Sequence, residues 1–138
     1  GLALRHTKGH IIRSFMEGVA MVLVRMVEAV QAMGIEIKEI RSLSGGAKSN
    51  LWCQIKADAV GSPVVTMTNT EDAACLGAAI LAGVGAGVWR SIPDAATEFA
   101  KKEKYFVPNE KNRKAYGELL NRYKTVFQVM KPVFKELS

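Results

Sequence analysis

Ten consecutive residues, Ala73-Ala74-Cys75-Leu76-Gly77-Ala78-Ala79-Ile80-Leu81-Ala82, carry no charged side chain. Read as a helix, this segment is apolar on every side. A helix on a protein surface keeps one polar face, so a helix apolar all round is expected to be buried within a larger protein. Its small residues would let a neighbouring backbone approach closely. Gly83, Gly85 and Gly87 follow and are expected to end it. The whole apolar stretch, residues 73–89, is too short and too rich in glycine for a membrane span, which needs about 20 apolar residues.

The elements around that segment alternate. Residues 10–33 place Ile12, Phe15, Met16, Val19, Leu23, Met26, Val27 and Val30 at three- and four-residue steps. That spacing predicts an amphipathic helix, with Gly34 as its C-terminal stop. Residues 35–43 follow as a strand, then a helix over 48–60 with Leu51, Trp52, Ile55 and Ala59 on one face and Gly61 behind it. Pro63 opens a short β-branched strand, 64–68. Thr68 and Glu71 have capping-box spacing ahead of the apolar helix, and Asn69 or Thr70 would cap equally well. Ile92-Pro93-Asp94 reads as a further helix start. Residues 101–109 read as an irregular basic connector. A long final helix shows Tyr116, Leu119, Leu120, Tyr123, Phe127, Met130 and Phe134 on one face, with Pro132 expected to kink or end it. Helices alternating with strands predict an α/β layer with at least partly parallel pairing. Two strands are few for a sheet, which again points to a piece of a larger fold.

At 138 residues the chain has the length of one domain. Its net charge of +6 could attract phosphates or nucleic acid. Much of that charge lies in the C-terminal third, interleaved with acids, as on a solvated helical face. No helix-turn-helix or interleaved aromatic surface supports nucleic-acid binding. Cys53 and Cys75 lie within apolar helical patterns, with no metal-type spacing, and are expected to be free buried thiols in a reducing cytoplasm. His6, His10, Arg5 and Arg13 read as structural or surface residues.

Residues 44–50, Ser-Gly-Gly-Ala-Lys-Ser-Asn, join the first strand to the helix after it. Paired glycines at a strand-to-helix turn allow backbone to approach a ligand, because no Cβ intervenes. A helix start adds unpaired N–H groups and the positive end of a dipole. Such a turn suits a nucleotide. It is not a Walker A loop, which needs glycine directly before the lysine and another five residues earlier. Gly83-Val84-Gly85-Ala86-Gly87 is not a dinucleotide fingerprint either, since it follows a helix rather than a strand.

Ser44-Gly45-Gly46-Ala47-Lys48-Ser49, with Trp52, Gln54, Ala57-Asp58 and Gly61-Ser62-Pro63-Val64, resembles the adenosine-binding segment of the FGGY carbohydrate kinases, xylulokinases above all. Glu71, the Leu76-Gly77-Ala78-Ala79 run, Ala82 and Gly85-Ala86-Gly87 continue the resemblance. So do His10-Ile11-Ile12-Arg13 and Phe15-Met16-Glu17-Gly18 upstream, and Tyr105, Pro108, Tyr116 and Tyr123 downstream. Ser44 stands where the family commonly has a third glycine, and serine is expected to fit the extended geometry there.

The resemblance implies an α/β fold, part of an actin-like ATPase (ribonuclease H-like) domain: a partial sheet flanked by helices, with a long C-terminal helix. Residues 1–138 would form the C-terminal nucleotide-binding portion of a sugar kinase whose N-terminal domain lies outside this chain. By position, Gly45, Gly46 and Ala47 would line adenine and ribose through their backbones. Lys48 and Ser49 would lie near ribose and phosphates, and Asn50 could hydrogen-bond adenine or sugar. Trp52 and Gln54 read as packing residues, Asp58 as a structural hydrogen-bonding partner, and Glu71 as a helix cap.

Phosphoryl transfer needs an in-line nucleophile, a positioning acid, and β- and γ-phosphates cradled with Mg²⁺. The family's catalytic Asp and its Asp-x-Gly-Thr phosphate loop belong to upstream segments, and neither pattern occurs here. The chain is thus expected to bind ATP or ADP, with no catalytic or metal-ligating residue of its own; Mg²⁺ and the sugar would be held mainly elsewhere. The acceptor suggested is a ketose, D-xylulose first, with an autoinducer or fuculose as alternatives. A non-catalytic nucleotide-binding module is the competing reading. A cytoplasmic, membrane-free protein is expected, and a homodimer is one assembly open to it.

Overall fold

In the computed structural model, which describes residues 1–68, 72–99 and 101–137, three helices pack on one another beside a three-stranded mixed sheet. Helix α1 (Lys8–Ala32) leads to strand β1 (Ile40–Ser42), a single helical turn α2 (Gly45–Lys48) and helix α3 (Asn50–Val60). Strand β2 (Val64–Met67), helices α4 (Ala73–Gly85) and α5 (Ile92–Phe99), strand β3 (Lys102–Phe106) and helix α6 (Glu110–Glu136) complete the chain.

The helix that follows the glycine turn is the centre of the packing. On one side of α3, Ile55 meets Ala20, Met21 and Val24 of α1 and Tyr116 of α6, with Trp52, Leu119, Leu120 and Tyr123 packed around them. On another side, Cys53 and Ala57 meet Val64 of β2, flanked by Ile40 and Phe106. Fully buried side chains such as Met21 and Ile55 each contribute about 2 kcal/mol of transfer free energy. Ser49 caps α3 by accepting a hydrogen bond from Trp52 N at 3.2 Å, and Gly61, in a left-handed conformation (φ +77), ends it. Both ends of α3 are therefore fixed, and so is the turn that enters it.

Strand β2 is central and buried along its whole length. It pairs parallel with β1, Ile40 opposite Val64 and Ser42 opposite Thr66, with α3 as the crossover. The expected parallel pairing is therefore present. Strand β3 adds an antiparallel partner on the other side, Val64 opposite Phe106, with an irregularity between Val65 and Met67. This corrects the reading of residues 101–109 as an irregular connector. The strand Lys-Glu-Lys-Tyr-Phe is an edge strand, and its outward charges hide the alternation that marks a strand in sequence.

Other boundaries also move. Strand β1 is three residues long rather than running over 35–43, because short β2 offers no more ladder. Helix α3 starts at Asn50 rather than 48, with a separate turn over the glycines before it. Helix α4 ends among its glycines as expected: it passes through Gly83, stops at Gly85, and Gly87 (φ +76) follows its C-cap Ala86. Asp72 stands at the N-cap of α4, so Thr68 is not the cap expected of it and its hydroxyl donates instead to Phe99 O; Asn69, Thr70 and Glu71, the other expected capping residues, lie outside the described residues. Pro132 does not terminate α6, which continues to Glu136 at an exposed end where water can serve the freed carbonyl.

Helix α4 meets α5 and the ends of β1 and β2, where Leu43, Met67, Leu76 and Ile80 line a shared cavity. Only Ile80 of α4 is buried, and Leu81 is 61% exposed. Cys75 is exposed as well, contrary to expectation: among the described residues the same side of α4, at Asp72, Ala79 and Ala82, is exposed too. Cys53 is buried as expected, and both thiols are free. In α6 the expected apolar face is buried at Tyr116 and half-buried at Leu119, Leu120 and Tyr123. Phe127, Met130 and Phe134, further along, are exposed. Among the described residues, no helix is long and apolar enough to cross a membrane.

Candidate functional site

The turn from β1 to α3 begins at Ser44 with φ +53 and ψ −147, the one non-glycine residue with positive φ among those described. This corner of backbone space is open mainly to glycine, and a side chain there costs about 1–3 kcal/mol. The expectation that serine would sit in ordinary extended geometry is thus corrected: the chain path from the end of β1 demands a left-handed φ. The turn α2 follows, its first hydrogen bond running from Ala47 N to Ser44 O at 3.0 Å.

The two glycines face different surroundings. A Cβ on Gly45 would meet nothing within 4 Å among the described residues, so none of them requires glycine there. A Cβ on Gly46 would point inward, 3.7 Å from Trp52 Nε1, 3.8 Å from Ser42 Oγ and 3.9 Å from Lys56 Nζ, all ordinary contacts. The Gly46 carbonyl is held from behind by two donors, the Cys53 thiol at 3.4 Å and the Lys56 ammonium at 3.3 Å.

Of the six candidate residues, Gly45, Lys48 and Asn50 are exposed, Gly46 and Ser49 are half-buried, and Ala47 is buried. All six share one continuous turn. Ala47 can therefore serve a ligand only through its backbone. The Ser49 hydroxyl is already engaged as the cap of α3. Asp58, read from sequence as a structural partner, is one: only 3% exposed, it accepts hydrogen bonds from Gln54 Nε2 (2.7 Å), Asn109 N (2.8 Å) and Asn112 Nδ2 (2.7 Å). Gln54 also donates to Val107 O, so it bridges as well as packs.

Lys56 and Ser42 were not singled out in the sequence. Lys56 is only 7% exposed, and its ammonium donates to Ser42 Oγ and lies over the Trp52 ring, 5.3 Å from the centroid. Burial pushes its pKa below the usual lysine value, and the nearby Cys53 thiol opposes this in part. The available signal was spacing: Lys56 is four residues from Trp52 and three from Cys53, within the apolar pattern of α3.

Residues remote from the turn have local tasks. Arg13 pairs with Glu17 at 2.8 Å and donates to Tyr116 Oη at 3.2 Å, while His10 joins Thr7 in the cap of α1. The Glu17 hydrogen bond holds the Arg13 pKa up; burial raises that of Tyr116, and the Arg13 hydrogen bond opposes it. Among the described residues, no group of three or more His, Cys, Asp or Glu could hold a metal ion.

A strand, a turn strained at Ser44 and a core helix beside a mixed sheet are arranged here as in solved sugar kinases of the actin-like ATPase fold. The xylulose kinase of Rhodospirillum rubrum has the same fold over this region, with a TM-score of 0.81 at 27% identity, covering 98% of this chain and 27% of that one. Residues 1–86 match the C-terminal domain of the FGGY family of carbohydrate kinases, and the chain belongs to that family. It is 31% identical to the xylulose kinase of Bacillus subtilis over 127 residues, 92% of this chain and 25% of the relative. It is 37% identical to the glycerol kinase of Deinococcus radiodurans over 125 residues, 90% of this chain and 24% of the relative. The chain thus spans about a quarter of the length of these relatives.

Proposed function

We propose that residues 1–138 are the C-terminal, adenosine-binding portion of a cytoplasmic kinase that uses ATP to phosphorylate a sugar hydroxyl. The observation that carries this is the contrast at the turn: among the described residues nothing lies within 4 Å of a Cβ on Gly45, while Cys53 and Lys56 hold the Gly46 carbonyl from behind. A fold that does not need glycine at Gly45 has room there for a ligand to lie against backbone. Gly45, Gly46 and Ala47 would meet adenine and ribose through main-chain atoms. Lys48 and Ser49, just before α3, would lie towards ribose and the phosphates, and Asn50 would hydrogen-bond adenine or sugar.

Mg²⁺, which would offset charge on the transferring phosphoryl group, would be held mainly by other parts of such a kinase. The transfer step and the sugar contacts belong to other parts of such a kinase. D-xylulose is the first acceptor to assay, supported by the xylulose kinase relatives, and glycerol is the competitor to run beside it.

The test is calorimetric titration of ADP into the intact gene product and its Gly45→Ala variant, alongside thermal melting. The added methyl should lower ADP affinity about tenfold or more, 1.4 kcal/mol, by filling the ligand's side of the turn, with no fall in Tm. An unchanged affinity would overturn the reading.

A further inference from the structure

We propose that Lys56, acting with Ser42, is a positioning residue for the nucleotide turn: its buried ammonium ties β1, α2 and α3 together behind the Gly46 carbonyl. The inference rests on the adenosine-binding reading above and assigns a task to two residues outside the candidate set.

The geometry is that of a clamp. Ser42 is the last residue of β1, Gly46 lies in α2, and Lys56 and Trp52 belong to α3. Lys56 Nζ reaches the Ser42 hydroxyl and the Gly46 carbonyl at once and rests over the Trp52 ring. The Cys53 thiol adds a second donor to the same carbonyl. Among the described residues its hydrogen-bond acceptors are a hydroxyl and a carbonyl, with the Trp52 ring beside it, and no carboxylate pairs with it. Burying an ammonium without a counter-charge opposes folding, and an apolar side chain of similar length would fill the same space without that penalty. Stability alone therefore gives no reason for a lysine here. What the lysine supplies, and a hydrocarbon cannot, is a donor that fixes the orientation of one peptide group in the turn.

That peptide needs fixing. Ser44, two residues earlier, is held at φ +53, and a strained residue persists only where its surroundings over-determine the backbone. Released from behind, the turn could relax towards an ordinary serine conformation and carry Gly45–Lys48 out of register with a ligand. The ammonium also leaves a donor and positive potential behind the turn, close to a proposed anionic ligand. Lys56 itself is buried and touches the turn from the protein side, so its effect on a nucleotide passes through the Gly46 peptide.

The experiment compares the wild-type intact protein with Lys56→Met, Lys56→Gln and Ser42→Ala, using ADP as probe, with Gly45→Ala as a control. Lys56→Met should melt no lower than wild type yet bind ADP about five- to tenfold more weakly, the size of an ordinary coupling between sites. In a kinase assay the same variant should raise KM for ATP and leave kcat largely unchanged. Lys56→Gln, which keeps a donor without the charge, should recover part of the lost affinity. Ser42→Ala, a small change that removes one anchor, should weaken ADP in the same direction and guards against a misfolded Lys56→Met. Wild-type ADP affinity in both Lys56→Met and Ser42→Ala, with Gly45→Ala impaired, would overturn the clamp and leave the nucleotide reading standing. Affinity that falls only in step with melting temperature across the series would also overturn it. Failure of the wild-type protein to bind ADP would overturn both readings.

Discussion

Asp58 on α3 accepts a hydrogen bond from Asn112 Nδ2 on α6 at 2.7 Å, and this bond fastens the long C-terminal helix to the helix that carries the glycine turn. The other Asp58 oxygen accepts from Gln54 Nε2 and from the N–H of Asn109, the N-cap of α6. One buried carboxylate thus satisfies three donors on two elements. Asp58→Ala would leave the part-buried Asn109 N–H and the Asn112 side-chain amide without their acceptor, and Gln54 with Val107 O alone. Loss of such a charged acceptor should cost about 3 kcal/mol of stability, read as a lower denaturation midpoint of the intact protein. Loss below about 1 kcal/mol would show that water replaces the carboxylate.

Ser44 bears strain that glycine would not. Ser44→Gly removes a Cβ from a left-handed position but adds freedom to the unfolded chain. The first effect is the larger at such φ and ψ, so the substitution should stabilise the protein by about 1 kcal/mol, measured as a rise in melting temperature. A destabilised Ser44→Gly would mean the serine side chain contributes more than its backbone costs.

Much of this fold was legible because the helices α1, α3 and α6 carry strong apolar periodicity, and Gly61-Ser62-Pro63 marks where α3 stops and β2 starts. Strand β3 was hidden, since its place is set by ladder bonds to β2 and its side chains are mostly charged. The conformation of Ser44 was hidden too: φ there follows from the path between β1 and α3, which no local pattern of residues encodes. Position in sequence brought the six candidate residues together in one turn. It did not reveal Lys56, whose side chain reads as one polar interruption of a helical face until the fold brings Ser42 and Gly46 against it.

The glycine pair offers a contrast that separates folding from binding. Neither a Cβ at Gly45 nor one at Gly46 meets a prohibitive contact, and both residues lie in the helical turn α2. Alanine at either position should therefore leave stability unchanged or raise it by up to about 1 kcal/mol through helix propensity. Gly46→Ala places its methyl on the inner side, towards Trp52, Ser42 and Lys56, so it should weaken ADP binding less than Gly45→Ala does. Paired melting and titration curves for the two variants check this. A larger binding loss in Gly46→Ala would put the ligand on the opposite side of the turn.

Glu39, just before β1, bridges Arg41 at 3.1 Å and Lys102 of β3, so it links the two outer strands at one end of the sheet. The Lys102 hydrogen bond, followed by that of Arg41, holds its carboxyl below the ordinary carboxylate value. A carboxyl whose pKa is depressed by folding binds protons more readily when unfolded. Its stabilising contribution is therefore present in full above the ordinary value of 4.5 and is lost as pH falls through the folded-state value. The group is half-buried at the surface, within reach of solvent, so the effect should be small and should shrink with added salt. Glu39→Gln should lower the melting temperature slightly at neutral pH and at low ionic strength. The two curves should converge in acid, where the wild-type carboxyl is itself protonated. Melting temperature recorded against pH for both proteins tests this, and a difference that persists unchanged into acid would assign the effect of Glu39 to packing rather than charge.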